Sequence, residues 1–234
     1  MGKGLVVSFD VEGPIINPKF DYSWLMVERL VKGGKVKDFN DRIKAFDEYD
    51  DNRWLHERKV GGHSTGTTPI ISSLFAIAHG INNESFLALA RENLALSPGA
   101  TQLLSWLKNA KGIEPYFVSS AHPAAILPVA YQLEISSSHV FCNGRQLTQK
   151  EAETFDKKRR ERPDDNSQTM MSEIRERFPY EKYLNSKVLR QFLDDYLEIC
   201  TKINSQYAES QINERALQAL NREQLRILGE ARKE

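Results

Sequence analysis

Asp10 and Glu12 stand two residues apart in the string SFDVEGP, directly after the short apolar run GLVVSF at residues 4–9. A carboxylate at the carboxyl end of a parallel strand sits where open α/β sheets place their ligands. One of two neighbouring carboxylates can attack phosphorus while the other moves protons. A hard divalent cation, magnesium by preference, would bridge such carboxylates and phosphate oxygens. The plainer reading is that Asp10 caps a turn. A second group of reactive type ends the run YFVSS, where Ser119 or Ser120 could donate a hydrogen bond to a phosphoryl oxygen or simply close a strand.

These residues need elements to position them. The β-branched run before Asp10 predicts a strand buried on both faces, and Glu12-Gly13-Pro14 a loop. Asp21 and Asp38 are placed to cap two helices, and Thr68-Pro69 and Asn83 two more. A glycine-rich polar loop, HERKVGGHSTGTT, lies among them. SPGATQLLSWLKNAKG, at residues 97–112, reads as a helix capped by Ser97, with Pro98 first and Ala100, Leu103, Leu104 and Leu107 as its apolar stripe. EPYFVSS then reads as a strand, PAAILPVAYQL as a helix and HVFCN as another strand. That alternation is the mark of a doubly wound parallel sheet. The charged stretch KEAETFDKKRRERPDDNS predicts an exposed linker. From Gln168 onward the pattern is helical and ends in an amphipathic segment, ERALQALNREQLRILGEARK.

In this order the motifs resemble those of the haloacid dehalogenase superfamily. There an aspartate ends the first strand, a helix opening with Pro-Gly precedes the second motif, and that motif is an apolar strand ending in Ser or Thr. The D-x-E-G-P wording resembles a small, prokaryotic and largely archaeal subgroup that is similar to the R subunit of energy-converting hydrogenase A. The resemblance implies an α/β, Rossmann-like core from residues 1–16 and 96–145. It implies a helical cap at 17–95 and a second cap or helical region at 146–234. It makes Asp10 the nucleophile, Glu12 the acid/base, Ser119 with Ser120 the phosphate-binding hydroxyls, and Asp10 with Glu12 ligands of Mg2+. The implied activity is a phosphatase working through an aspartyl-phosphate on a small phosphorylated molecule. The family also uses a lysine and a terminal acidic motif after a later strand, and neither is found here. Asp194 and Asp195, in VLRQFLDDYLEICTKI, read instead as a helix face. The chain is therefore expected to stop within its second insertion and to leave a sheet edge for a protein partner to cover. The alternative is a catalytically inactive or truncated accessory protein of the same family.

Composition narrows the choices further. Lysine plus arginine and aspartate plus glutamate each number 32 in 234 residues, which gives no electrostatic case for nucleic acid. The basic run KKRRER reads as solvated. No run approaches the ~20 apolar residues of a membrane span. Cys142 and Cys200, the two cysteines, fit a reducing compartment, and a cytoplasmic protein is expected. His56, His63, His79, His122 and His139 lack zinc spacing, which also weighs against a carbohydrate deacetylase. His122 is expected on the surface or at a helix start, with pocket lining the lesser option, and Trp24, Trp54 and Trp106 in cores, with Trp54 also able to face the site from the cap.

Overall fold

The computed structural model describes residues 5–17, 29, 48–49, 67–162 and 166–208. Three short parallel strands, β1 (Ser8–Asp10), β2 (Tyr116–Val118) and β3 (Val140–Phe141), form a sheet in that order. Seven helices are described with it: α1 (Thr67–Ala78), α2 (Asn83–Asn93), α3 (Ala100–Lys111), α4 (Pro123–Gln132), α5 (Gln149–Glu161), α6 (Asn166–Arg177) and α7 (Lys187–Ala208). The described chain is thus mixed α/β and mostly helical. Among the described residues no helix is long and apolar enough to cross a membrane.

The register sets Phe9 beside Phe117 and Phe117 beside Val140. This row faces inward, with Phe117 and Val140 fully buried. One residue further, Asp10, Val118 and Phe141 form the next row. Val118 is 47% exposed and Phe141 39%. Because strand side chains alternate faces, one face of the sheet packs and the other is open. The expectation of a first strand buried on both faces therefore fails: Leu5 and Val6 are exposed, and β1 is an edge strand among the described residues.

Helix α4 is the centre of the core. Every residue from Pro123 to Tyr131 is buried, as an all-round apolar helix requires. It tolerates Pro128 in its interior. It packs against α2 and α6, while α1 packs against α7. One hydrophobic cluster runs from Phe75, Ile77 and Phe86 through Ile126 and Leu127 to Ile174, Leu193 and Leu197.

Several local expectations are revised. Helix α3 begins at Ala100 with Gly99, at φ +85°, as its N-cap, so neither Ser97 nor Pro98 opens it. The Ser97 hydroxyl instead donates to the Gly13 carbonyl at 2.8 Å. In the α3 stripe Leu103 is exposed, whereas Ala100, Leu104 and Leu107 are buried. Trp106 is half exposed beneath the Lys111 ammonium rather than in a core. Asn82, not Asn83, caps α2, accepting from the Ser85 amide. The charged stretch expected as a linker is mostly α5. A capping box between Thr148 and Glu151 opens it, and Ala152, Phe155 and Asp156 form its buried face. Asp194 and Asp195 lie on helix α7, as their apolar periodicity required. The helices expected after Asp21 and Asp38, the loop at 56–66, Trp24, Trp54 and the amphipathic segment at 214–233 lie outside the described residues.

Candidate functional site

The carboxyl ends of the three strands open into one cleft of about 650 Å³. Asp10 enters it from β1, Ser119 and Ser120 from the end of β2, and Cys142, Asn143 and Gly144 from the end of β3. Ser8, Val118 and Ile70, the last from α1, complete its described wall. Asp10 pairs in register with Val118, so Ser119 is the next residue along the adjoining strand. Neighbouring strands lie about 4.8 Å apart, which sets a carboxylate and a hydroxyl within reach of one small ligand.

The loop after β1 is held from both sides. The Ile15 and Ile16 amides both donate to the Val11 carbonyl, at 3.1 and 2.8 Å, and the Gly13 amide donates to the Ile16 carbonyl. Gly13 has φ +98°, a conformation glycine adopts without strain. Val11, Ile15 and Ile16 are fully buried, and the Ser97 amide donates to the Ile15 carbonyl. The turn is therefore fastened to residues 95–97, and Asp10 projects from a fixed base. Glu12 is half-buried and forms a bridge with Ile16. It does not line the cleft, so of the two carboxylates read from the sequence only Asp10 reaches it.

Ser119 is fixed by its own backbone. Its amide donates to the Phe141 carbonyl at 2.8 Å, and its hydroxyl accepts from the Ala121 amide at 3.0 Å. A serine hydroxyl has one donor and two acceptor sites, so this bond leaves the O–H proton for a ligand. The following helix offers little further. His122 caps α4 by accepting from the Ala124 amide at 3.1 Å, and Pro123 has no amide proton. His122 is fully buried between Phe86, stacked at 4.1 Å, and Phe178. Burial pulls its pKa down to about 3, so it is a neutral structural cap at the helix start and not a surface residue.

The β3 side of the cleft carries residues that sequence reasoning passed over. Burial pushes the Cys142 thiol up to about 12, which makes it a wall and not a nucleophile. Asn143 is buried, its amide donating to the Ala121 carbonyl, and its side-chain Nδ2 has no hydrogen-bond partner among the described residues. Gly144, at φ +102°, passes so close to α6 that a β-carbon would lie 2.3 Å from the Arg177 carbonyl oxygen. The Arg145 amide donates to that same oxygen. An asparagine and a glycine after a short strand read as ordinary turn signals, and nothing in their spacing marks them as cleft residues.

Among the described residues no group of three or more His, Cys, Asp or Glu side chains is arranged to hold a metal ion. Asp10 is the one carboxylate of the described cleft wall. Magnesium usually keeps several waters and is held by one or two carboxylates with substrate phosphate oxygens, and Asp10 is the carboxylate that this wall would give it.

No family model and no curated protein matches the chain. Among solved structures it is similar to gene product AF1437 from Archaeoglobus fulgidus, at 16% identity and a TM-score of 0.46. The similarity covers 79% of this chain and spans 57% of the length of that one.

Proposed function

We propose that the described sheet is part of a Rossmann-like haloacid-dehalogenase core and that its cleft hydrolyses a small phosphate ester. The observation that carries this reading is the meeting of Asp10 and Ser119 in one open cleft at the ends of adjacent parallel strands. An Asp10 carboxylate oxygen forms a bond to phosphorus while the ester P–O bond breaks, and the leaving alkoxide takes its proton from a water in the open cleft. A second water then attacks the aspartyl-phosphate and gives its proton to solvent, and phosphate leaves with Asp10 restored; Glu12, the acid/base that the resemblance implies, stands outside the described wall. Ser119, already oriented by Ala121, donates to the phosphoryl oxygen through both steps.

The test is phosphatase activity of the full chain on a panel of phosphate esters, assayed with and without magnesium. Turnover by the parent that is lost in Asp10→Asn supports the reading. No turnover in the parent, or turnover retained in Asp10→Asn, overturns it. A second reading, a catalytically inactive relative that binds the ester without cleaving it, is favoured by one observation. Glu12 stands outside the cleft wall, which leaves Asp10 without a neighbouring acid there.

A further inference from the structure

We propose that Asn143 is a ligand-binding residue, its Nδ2 amide donating to an oxygen of a tetrahedral oxyanion held between the three strand ends. The proposal rests on the phosphoryl-site reading above and adds to it a third wall and a mode of recognition.

Asn143 is 6% exposed, lines the cleft, and carries a buried Nδ2 without a partner among the described residues. A buried amide donor left unpaired costs about 1–3 kcal/mol, so native structures rarely keep one without a use. Its backbone is committed. The Asn143 amide donates to the Ala121 carbonyl at 3.0 Å, and Ala121 in turn donates to the Ser119 hydroxyl. Asn143 and Ser119 are thus joined through a single residue, and both residues line the same opening. Asp10 faces them from β1. A tetrahedral anion presents several acceptor oxygens in different directions, and donors converging from β2 and β3 satisfy two of them at once. The described wall contributes neutral donors and no lysine or arginine. Recognition on this side therefore works by hydrogen-bond geometry and not by charge pairing.

The experiment titrates inorganic phosphate into the full chain by calorimetry, for the parent, Asn143→Ala, Asn143→Asp and Asp10→Asn. We expect Asn143→Ala to weaken binding about tenfold or more, as loss of one hydrogen bond to a charged group does. Asn143→Asp replaces the donor by a like charge and should abolish binding. Asp10→Asn should bind phosphate more tightly, because it removes a repelling carboxylate. Saturable binding by the parent that Asn143→Ala leaves unchanged overturns this proposal alone. No saturable binding by the parent overturns it together with the phosphoryl-site reading. Should the Asn143 variants fail to fold, the parent still decides the matter. Its Asn143 side-chain amide resonance should shift and saturate with phosphate, and a resonance that stays still while the Ser119 amide moves overturns the assignment.

Discussion

Arg177 has a side chain with no exposed surface, and its guanidinium is fully spoken for. Nε donates to Glu173 Oε1 at 2.9 Å, Nη1 to the Val140 carbonyl at 3.0 Å and Nη2 to the Ser137 carbonyl at 2.7 Å. Glu173, equally buried, accepts from the Tyr131 and Ser137 hydroxyls, both at 2.9 Å. Arg177→Met keeps the stem volume and removes the charge and every donor. Glu173 is then a buried carboxylate without its cation, and two carbonyls lose their partners. Breaking a buried pair in this way costs about 3–5 kcal/mol. At about 2–4 °C per kcal/mol for a chain of this size, Tm should fall by roughly 6–20 °C. Urea denaturation of the parent and the variant measures the deficit. A deficit below about 1 kcal/mol would refute the view of this pair as a buried clasp.

Two further predictions concern stability. His122 is neutral in the fold with its pKa near 3, whereas the unfolded chain takes up that proton near 6.5. Between those values the unfolded state binds more protons, so the parent should lose up to about 1.4 kcal/mol per pH unit on acidification. His122→Asn keeps a capping acceptor and should lack that slope; parallel slopes in the two proteins would exclude His122 as its source. Gly144→Ala places a β-carbon 2.3 Å from the Arg177 carbonyl oxygen at a positive φ, and should cost about 2 kcal/mol or more. Gly99→Ala, also at positive φ but with open space around its β-carbon, should cost about half as much in the same denaturation series.

What could be read in the sequence was what local chemistry decides. The apolar runs around Phe9 and Phe117, the helix just before Phe117 and the position of Asp10 and Ser119 at strand ends all follow from periodicity and turn residues. The helix at 149–161 was equally local, since Thr148 and Glu151 spell a capping box, but its two buried apolar residues, Ala152 and Phe155, were outweighed by a run of charges. Much of that charge is engaged. Asp156 accepts from the Ser136 hydroxyl and the Ser137 amide, and the Arg159 guanidinium lies over the Tyr131 ring. Ser97 misled for the opposite reason: it has the right type for a cap, but its hydroxyl was claimed by Gly13, 84 residues away. Asn143 and Arg177 were illegible because their roles depend on partners that only the fold brings near.

The position of Arg177 bears on where the site ends. The resemblance drawn from sequence runs out near residue 145, yet α6, at 166–177, governs the third wall of the cleft. Its Arg177 grips the Val140 carbonyl at the start of β3, and its carbonyl oxygen receives the Arg145 amide just past the strand's end. Between those two anchors lie Phe141, Cys142, Asn143 and Gly144, and Gly144 has no side chain because the Arg177 backbone occupies that space. A two-residue strand makes few ladder bonds of its own, so these clasps supply much of what fixes its end. The orientation of Asn143 is thus set by a helix more than twenty residues further along the chain. Loosening α6 should blur the β3 wall first and leave Asp10, fastened through Val11, Ile15 and Ser97, in place. The cleft is a joint product of the strand ends and the helical segment that follows them.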